Sequence, residues 1–229
     1  MSLAGLFNAR WPGVALFDLD GTLVDSAPDL AAAVDQMLAH LGRSPAGIDR
    51  VRNWVGNGAA ALVRRALAGQ TDWEPALPKD EALFKDALAI FYHAYGTLNG
   101  HHSVVYDGVE ACLAHLKNQG CRLGVVTNKP EQFVAPLLER MGLDHWFDLS
   151  VGGDTLPVKK PDPAPLLHAM ENLGGTRGTT VMVGDSAADI NAALAAGIPC
   201  VAVRYGYNYG PAVDTLGADA VVDSLAELL

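Results

Sequence analysis

The sequence predicts an α/β protein in which a six-stranded parallel sheet is interrupted early by an all-helical insertion. Six short apolar runs have the length of buried strands. In chain order they are Val14–Phe17, Leu123–Val126, Leu149–Val151, Val181–Val183, Val201–Val203 and Ala220–Val222. From the second run onward they alternate with helical segments, which is typical of parallel β-α-β units. Between the first two runs, over about residues 27–96, helical patterns dominate.

The insertion contains three segments with apolar residues at helical spacing. Ala27–Leu41 is followed by Gly42, which favours a helix end, and Val51–Leu67 and Glu81–Tyr95 repeat the same character. The polar, proline-containing stretch from Gln70 to Pro78 predicts a loop between the last two segments. The insertion is therefore expected to fold as a small helical unit.

The first apolar run stops at Asp18, Asp20 and Gly21. An unpaired buried charge costs much free energy, so two carboxylates at the end of a buried strand favour a bound cation. Carboxylates suit a hard divalent metal such as Mg²⁺. One carboxylate can also attack a substrate while the other transfers a proton. The alternative is a strand followed by an ordinary Asp-Gly turn.

Two further apolar runs also end in polar residues. Thr127-Asn128-Lys129 follows one run, and Asp185 ends another. Asp189 lies four residues after Asp185 and returns to the same side of a helix that Ser186 can cap. Ligands of parallel sheets bind at the carboxyl ends of the strands. We therefore expect Asp18, Thr127 and Asp185 to converge on one site.

These residues resemble the four motifs of the haloacid dehalogenase superfamily phosphatases. The motifs occur in order as Asp18-Leu-Asp20, Thr127, Lys160, and Gly184-Asp185 with Asp189. Within that superfamily the chain is most similar to bacterial phosphoglycolate phosphatases. The segments that carry this narrower resemblance are Trp54–Ala59, Lys160–Leu166 and Tyr205–Gly210.

The resemblance implies a Rossmann-like parallel sheet core with an inserted all-helical cap domain. The core would comprise residues 1–24 and 97–229, and the cap residues 25–96. The implied activity is Mg²⁺-dependent hydrolysis of a small phosphate monoester, 2-phosphoglycolate first, through an aspartyl-phosphate. A sugar-phosphate phosphatase and a hexose-phosphate mutase of the same superfamily are the alternatives. A non-catalytic binding protein could dispense with these acids.

The resemblance also implies a role for each motif residue. Asp18 would be the nucleophile and Asp20 the general acid and base. Thr127, Asn128 and Lys160 would bind the phosphoryl group. The implied Mg²⁺ ligands are the Asp18 carboxylate, the Asp20 backbone carbonyl, Asp185 and Asp189. Asp189 would ligate directly or through water, and the alternative is a carboxylate that caps the helix or supports the ligands from behind.

The cap residues are less sharply defined. Gly58 belongs to a tight loop expected near the substrate. Arg65 matches a cap arginine that could meet a substrate carboxylate, although a solvated surface arginine is the alternative. Lys129 fits either the rim of the site or a solvated loop, and Lys159 reads as a solvated lysine.

Composition excludes several classes of partner. The 229-residue chain has a formal net charge of −10, which argues against binding to nucleic acid. No apolar run reaches the roughly 18 residues that a membrane span needs. Three cysteines at unrelated spacings, Cys112, Cys121 and Cys200, indicate reduced thiols of a cytoplasmic protein. The sequence leaves open whether the protein is a monomer or a homodimer.

Overall fold

A parallel six-stranded sheet lies at the centre of the larger part of the molecule. The computed structural model describes residues 3–71, 81–208 and 212–229. In spatial order the strands are β5 (Leu149–Val151), β4 (Arg122–Val126), β1 (Val14–Phe17), β6 (Thr180–Gly184), β7 (Cys200–Val203) and β8 (Ala220–Val222). All five pairings are parallel. The predicted α/β class and its six strands are therefore confirmed.

Helices cover both faces of this sheet. They are α5 (Val109–Asn118), α6 (Val134–Arg140), α7 (Ala164–Asn172) and α8 (Ala187–Ala196). Successive residues of a strand point to opposite faces: Ala15 and Phe17 pack with residues of α5 and α6, whereas Val14 and Leu16 pack with α7 and α8. This two-sided burial explains why the strands read as continuous apolar runs.

Over residues 25–71 and 81–98 the helical unit shows four helices with their own apolar core. They are α1 (Ala27–His40), α2 (Ile48–Arg52), α3 (Ala59–Ala68) and α4 (Glu81–Leu98). The expectation of continuous helical character over Val51–Leu67 is corrected, because the chain leaves α2 at Arg52 and re-enters helix only at Ala59. Gly56 and Gly58 interrupt it with φ angles of 116° and 83°, which few residues other than glycine adopt.

Two chain crossings join the helical unit to the sheet. At these crossings β2 (Val24–Asp25) and β3 (Val104–Val105) pair as an antiparallel ribbon. Each strand has only two residues, which is too short to show a sequence pattern. The buried Asp29 carboxylate accepts hydrogen bonds from the amides of Gly100, His102 and Ser103 and from the Ser103 hydroxyl. These bonds fix the second crossing to the start of α1.

The domain boundaries, one loop, the cysteines and membrane spans were also predicted from the sequence. The domain boundaries at residues 24/25 and 96/97 stay a prediction, and α4 itself continues to Leu98. The expected loop from Gln70 to Pro78 lies almost entirely outside the described residues. All three cysteines are buried and free, as expected. Within the described residues, none of the helices combines the length and apolarity that crossing a membrane requires.

Candidate active site

The ends of three neighbouring strands bring the predicted acids together. β1 lies between β4 and β6, so Asp18, Thr127 and Asp185 leave the sheet at the same edge. Carboxylate oxygens of Asp18, Asp185 and Asp189 lie within 4.8 Å of one another, and all three residues are buried. Leu19, between the two acids Asp18 and Asp20, is fully buried in the core.

Asp18 lies at the floor of the site and is only 7% exposed. Its Oδ1 is 3.0 Å from Nζ of Lys160 without the geometry of a hydrogen bond. Burial raises the pKa of Asp18 to about 6, and Lys160 opposes that shift. The carboxylate is therefore poorly solvated and close to one cation.

Asp185 and Asp189 differ in what their oxygens already contact. One oxygen of Asp185 accepts the Tyr207 amide at 2.6 Å and the other accepts the Thr22 hydroxyl at 3.4 Å. Burial, followed by the nearby Asp18, raises the pKa of Asp185 well above the usual range. Asp189 gives Oδ1 to Lys160 at 2.6 Å. Its Oδ2 accepts from the Asp185 amide and from the amide and hydroxyl of Ser186. Asp189 is thus the better satisfied of the two acids.

The acid cluster fits a divalent cation. Among the described residues, the ammonium group of Lys160 is the one cation that pairs with these three buried carboxylates, and it contacts Asp18 and Asp189. The pKa values of Asp18 and Asp185 are raised chiefly by burial. Oxygen donors of this kind are the ligands that Mg²⁺ takes in proteins. Each oxygen of Asp185 accepts one hydrogen bond and Oδ1 of Asp18 accepts none, so these two acids keep lone pairs that could serve. The two oxygens of Asp189 together accept four hydrogen bonds.

Asp20 is bound by two donors from different parts of the chain. The Ser26 hydroxyl donates to Oδ1, and Lys129 Nζ lies 3.0 Å and 3.2 Å from the two carboxylate oxygens. The same ammonium group donates to the hydroxyl of Tyr95, on α4. Lys129 is only 4% exposed, so the solvated-loop alternative for this lysine is wrong.

A pocket lies between the helical unit and the sheet, above Asp18 and Asp20. Its sheet side includes Thr127, Asn128 and Lys129, and its helical side carries mainly apolar groups. The residues on that side are Leu30, Val55, Gly56, Gly58, Ala59, Leu62, Phe91 and Tyr95. A small ligand in this pocket therefore meets polar groups at one end and hydrocarbon over the rest.

Asn128 and Gly58 hold the two sides of the pocket close together. The Asn128 amide group donates to the Gly56 and Lys160 carbonyls, both at 3.0 Å. A Cβ atom at residue 58 would come within 2.8 Å of the Asn128 carbonyl oxygen. Lys159 is exposed yet donates to the Asn57 carbonyl at 2.7 Å. Gly58 thus permits a close approach that a larger residue would block.

The structure does not bring Arg65 to the pocket, which corrects the expected contact with a substrate carboxylate. Its guanidinium donates to the Trp54 carbonyl at 2.6 Å, to Oδ1 of Asn57 at 2.7 Å and to the Thr71 carbonyl at 3.1 Å. It is also 6% exposed, so the solvated alternative is wrong as well. Arg65 braces the loop between α2 and α3 from inside the helical unit.

Fold and site together define an α/β enzyme with a cluster of buried acids at the carboxyl edge of a parallel sheet. The family model of the haloacid dehalogenase-like hydrolases matches residues 13–197. The chain belongs to this family.

Named relatives are similar over nearly the whole chain. The phosphoglycolate phosphatase of Pseudomonas putida is 52% identical over 225 residues, covering 98% of this chain and 81% of the relative. That of Pseudomonas fluorescens is 50% identical over 224 residues, with the same two coverages. The crystal structure of a predicted phosphoglycolate phosphatase from Haemophilus somnus has a TM-score of 0.87 and 38% identity, and the match covers 94% of this chain and 96% of that chain.

Two features of the site escaped sequence reasoning. Tyr95 is one of several apolar and aromatic residues on α4, and nothing in its spacing marks a contact with Lys129. Tyr207 belongs to the Tyr205–Gly210 segment, but its amide contact with Asp185 depends on how the chain turns after β7. Tyr209 and Gly210 of that segment lie outside the described residues.

Proposed function

We propose that this hydrolase is a Mg²⁺-dependent phosphomonoesterase that works through an aspartyl-phosphate on Asp18 and takes 2-phosphoglycolate as its substrate. The observation that carries the proposal is the position of Asp18. Its buried carboxylate lies at the floor of an apolar pocket, beside the Lys160 ammonium group and the Asp185 carboxylate. Such a group is a poorly solvated nucleophile with a cation at hand for the phosphoryl charge.

In the first half-reaction an Asp18 oxygen attacks phosphorus. The bond between phosphorus and the ester oxygen breaks, and Asp20 gives its proton to the leaving oxygen as the alcohol departs. The Lys160 ammonium and the Thr127 hydroxyl, which lies at the same strand edge, stabilise charge on the phosphoryl oxygens. Asp189 holds Lys160 in place for this role through the 2.6 Å ion pair.

In the second half-reaction water attacks the same phosphorus. Asp20 accepts a proton from that water, the bond from phosphorus to the Asp18 oxygen breaks, and inorganic phosphate leaves. Asp18 returns to its ionised form and Asp20 to its protonated form, so the cycle is closed. The apolar wall of Leu30, Val55 and Phe91 limits the water that reaches the intermediate.

Asp18 and Asp185 would hold the metal through their carboxylates, together with the Asp20 backbone carbonyl. When bound, Mg²⁺ supplies charge neutralisation for the phosphoryl group. Asp189 would act through Lys160 and the Ser186 amide, since its two oxygens already accept four hydrogen bonds, twice as many as those of Asp185.

The substrate assignment is supported by the relatives and by the pocket. Relatives about half identical to this chain carry the name phosphoglycolate phosphatase. The pocket wall is largely hydrocarbon, which would leave sugar hydroxyls without partners and thus disfavour sugar phosphates.

Phosphate release from a panel of phosphate esters, with Mg²⁺ present, tests this proposal. The panel contains 2-phosphoglycolate, glucose 6-phosphate, ethyl phosphate and p-nitrophenyl phosphate. We expect 2-phosphoglycolate to have the highest kcat/KM of the three alkyl esters. Equal turnover of glucose 6-phosphate would refute the substrate and leave the phosphatase mechanism standing, whereas release of no phosphate from any ester would refute both.

A further inference from the structure

Lys129 is the one cationic residue among the described residues that line the pocket. Its side chain is 2% exposed, and its ammonium group lies beside Asp20 and the Tyr95 hydroxyl. Burial, followed by the charges of Asp20 and Asp29, raises the pKa of Tyr95 well above its usual range. The hydroxyl is therefore neutral and accepts a hydrogen bond from Lys129.

The contact between Lys129 and Asp20 indicates where the carboxylate of a bound substrate would lie. If Asp20 protonates the ester oxygen, that oxygen lies within hydrogen-bond distance of the Asp20 carboxylate. Lys129 Nζ is 3.0 Å and 3.2 Å from the two oxygens of the same carboxylate. In 2-phosphoglycolate the carboxylate carbon is two bonds from the ester oxygen. The substrate carboxylate is therefore expected to lie within contact distance of the Lys129 ammonium group.

We propose that Lys129 binds the carboxylate of the substrate and is the residue that selects 2-phosphoglycolate over uncharged phosphate esters. This inference rests on the proposed function. It gives Lys129 the part that Arg65 cannot take from its position inside the helical unit. An ammonium group has three N–H donors, and Lys129 now directs its donors to both Asp20 oxygens and to Tyr95. Turning from two Asp20 oxygens to one frees a donor for the ligand.

The surroundings of Lys129 make this contact selective. Leu30, Phe91 and Phe133 line the pocket beside it, so a carboxylate entering the pocket loses water and needs a charged partner in return. An ester without a carboxylate does not contact the Lys129 ammonium group, so this charge adds no binding free energy for that ester. The selectivity therefore comes from a buried charge that one class of substrate can pair with.

The test compares 2-phosphoglycolate with ethyl phosphate, in which a methyl group replaces the carboxylate. In the wild-type enzyme we expect kcat/KM for 2-phosphoglycolate to exceed that for ethyl phosphate by roughly 100-fold or more, as for a charge-paired group. Lys129→Met should reduce this preference by roughly 10- to 100-fold, the usual effect of losing a hydrogen bond to a charged group. The loss should appear as a higher KM for 2-phosphoglycolate. Lys129→Arg, which keeps the charge, should retain more of the preference.

Lys159→Met is the matched control. Lys159 carries the same charge near the pocket mouth and contacts the loop at Asn57, but it does not line the pocket. We expect this variant to keep the wild-type preference. Equal loss of preference in Lys129→Met and Lys159→Met would mean that the long-range field selects the substrate, and would overturn the inference.

The remaining outcomes separate the inference from the proposed function. A wild-type enzyme with no preference for 2-phosphoglycolate refutes the substrate assignment and the role of Lys129 together. A wild-type preference that survives in Lys129→Met refutes the role of Lys129 alone. If Lys129→Met lowers kcat equally for both esters, Lys129 positions Asp20 and does not select the substrate, which also refutes the inference. If Lys129→Met does not fold, Lys129→Gln, which keeps a donor towards Asp20 without the charge, takes its place.

Discussion

The ammonium group of Lys160 lies 2.6 Å from Oδ1 of Asp189 and 3.0 Å from Oδ1 of Asp18. Burial alone would lower the pKa of Lys160, but Asp18 and Asp189 raise it above the usual range. Lys160 therefore stays charged, and Asp189 fixes where that charge lies. This arrangement separates the two acids that follow β6: Asp189 positions a lysine, whereas Asp185 faces Asp18.

Metal titrations of two matched variants should distinguish these roles. A chelator should abolish activity and Mg²⁺ should restore it. Asp185→Asn should raise the Mg²⁺ concentration for half-maximal phosphate release by roughly 100-fold or more, because it removes a ligand. Asp189→Asn should raise it less than about 10-fold, at the low end for a residue behind the ligands, while lowering kcat through Lys160. Similar Mg²⁺ requirements in the two variants would contradict this separation.

Asp20→Asn should uncouple the two half-reactions. With an alkyl phosphate we expect a loss of about 10²- to 10⁴-fold in kcat, the usual range for a general acid and base. The nitrophenolate group leaves without needing a proton, so p-nitrophenyl phosphate should still transfer its phosphoryl group. Stopped-flow absorbance should then show a burst of about one nitrophenol per enzyme, the fingerprint of covalent catalysis, followed by slow turnover. Wild-type steady-state turnover in this variant would refute the role of Asp20.

In the metal-free protein the acid cluster should contribute a loss of stability as the pH rises. Burial, opposed by Lys160, raises the pKa of Asp18 from 3.8 to about 6. The folded state therefore binds more protons than the unfolded state between these values, and the free energy of unfolding falls as pH rises through them. Asp185 adds a slope of the same sign.

Asp18→Asn should remove the contribution of Asp18 to the pH dependence of the free energy of unfolding. In excess chelator at pH 7 the variant should be more stable than the wild type by up to about 3 kcal/mol, and at pH 4 the two should be nearly equal. Thermal unfolding across this range measures the difference. Identical unfolding temperatures at pH 7 would show that burial of Asp18 carries no charge penalty.

Arg65→Met should destabilise the helical unit without changing substrate preference. The buried Trp54 carbonyl would lose its 2.6 Å donor, and an unpaired buried group costs about 1–3 kcal/mol. Arg50→Met, at an exposed position of α2, is the control and should change stability by less than about 0.5 kcal/mol. The melting temperature checks the first expectation, and the 2-phosphoglycolate to ethyl phosphate ratio checks the second. If folded Arg65→Met shows a lower 2-phosphoglycolate to ethyl phosphate ratio, Arg65 contributes to substrate selection and the expectation is wrong.

The sheet and its acids could be predicted because both follow from strong local patterns. Buried parallel strands must be apolar throughout, so Val14–Phe17 stands out, and Asp18 stands out because it ends such a run. The Gly56–Gly58 break was visible as a glycine pair, but the helical spacing of Val51–Leu67 obscured where helix stops. Glycine conformations, which spacing does not encode, decided that boundary.

Side-chain direction could not be predicted where it depends on packing between the two units. Thr127, Asn128 and Lys129 follow one strand, and all three line the pocket because of how the chain turns there. Arg65 could face the pocket, the solvent or its own core until the packing of α3 on the Trp54 loop is known. Those contacts join residues far apart in the chain, and a single sequence carries no signal for them.

Chemical trapping of the intermediate tests the central claim most directly. The enzyme is mixed with 2-phosphoglycolate and Mg²⁺, quenched in acid during turnover and treated with borohydride, which reduces an acyl phosphate but leaves a free carboxylate unchanged. Peptide mass spectrometry should then find reduction at Asp18 in the wild type and none in Asp18→Asn, whose kcat should be lower by at least about 10³-fold. Normal wild-type turnover with no reduced residue, or with the mark on another acid, would contradict the account.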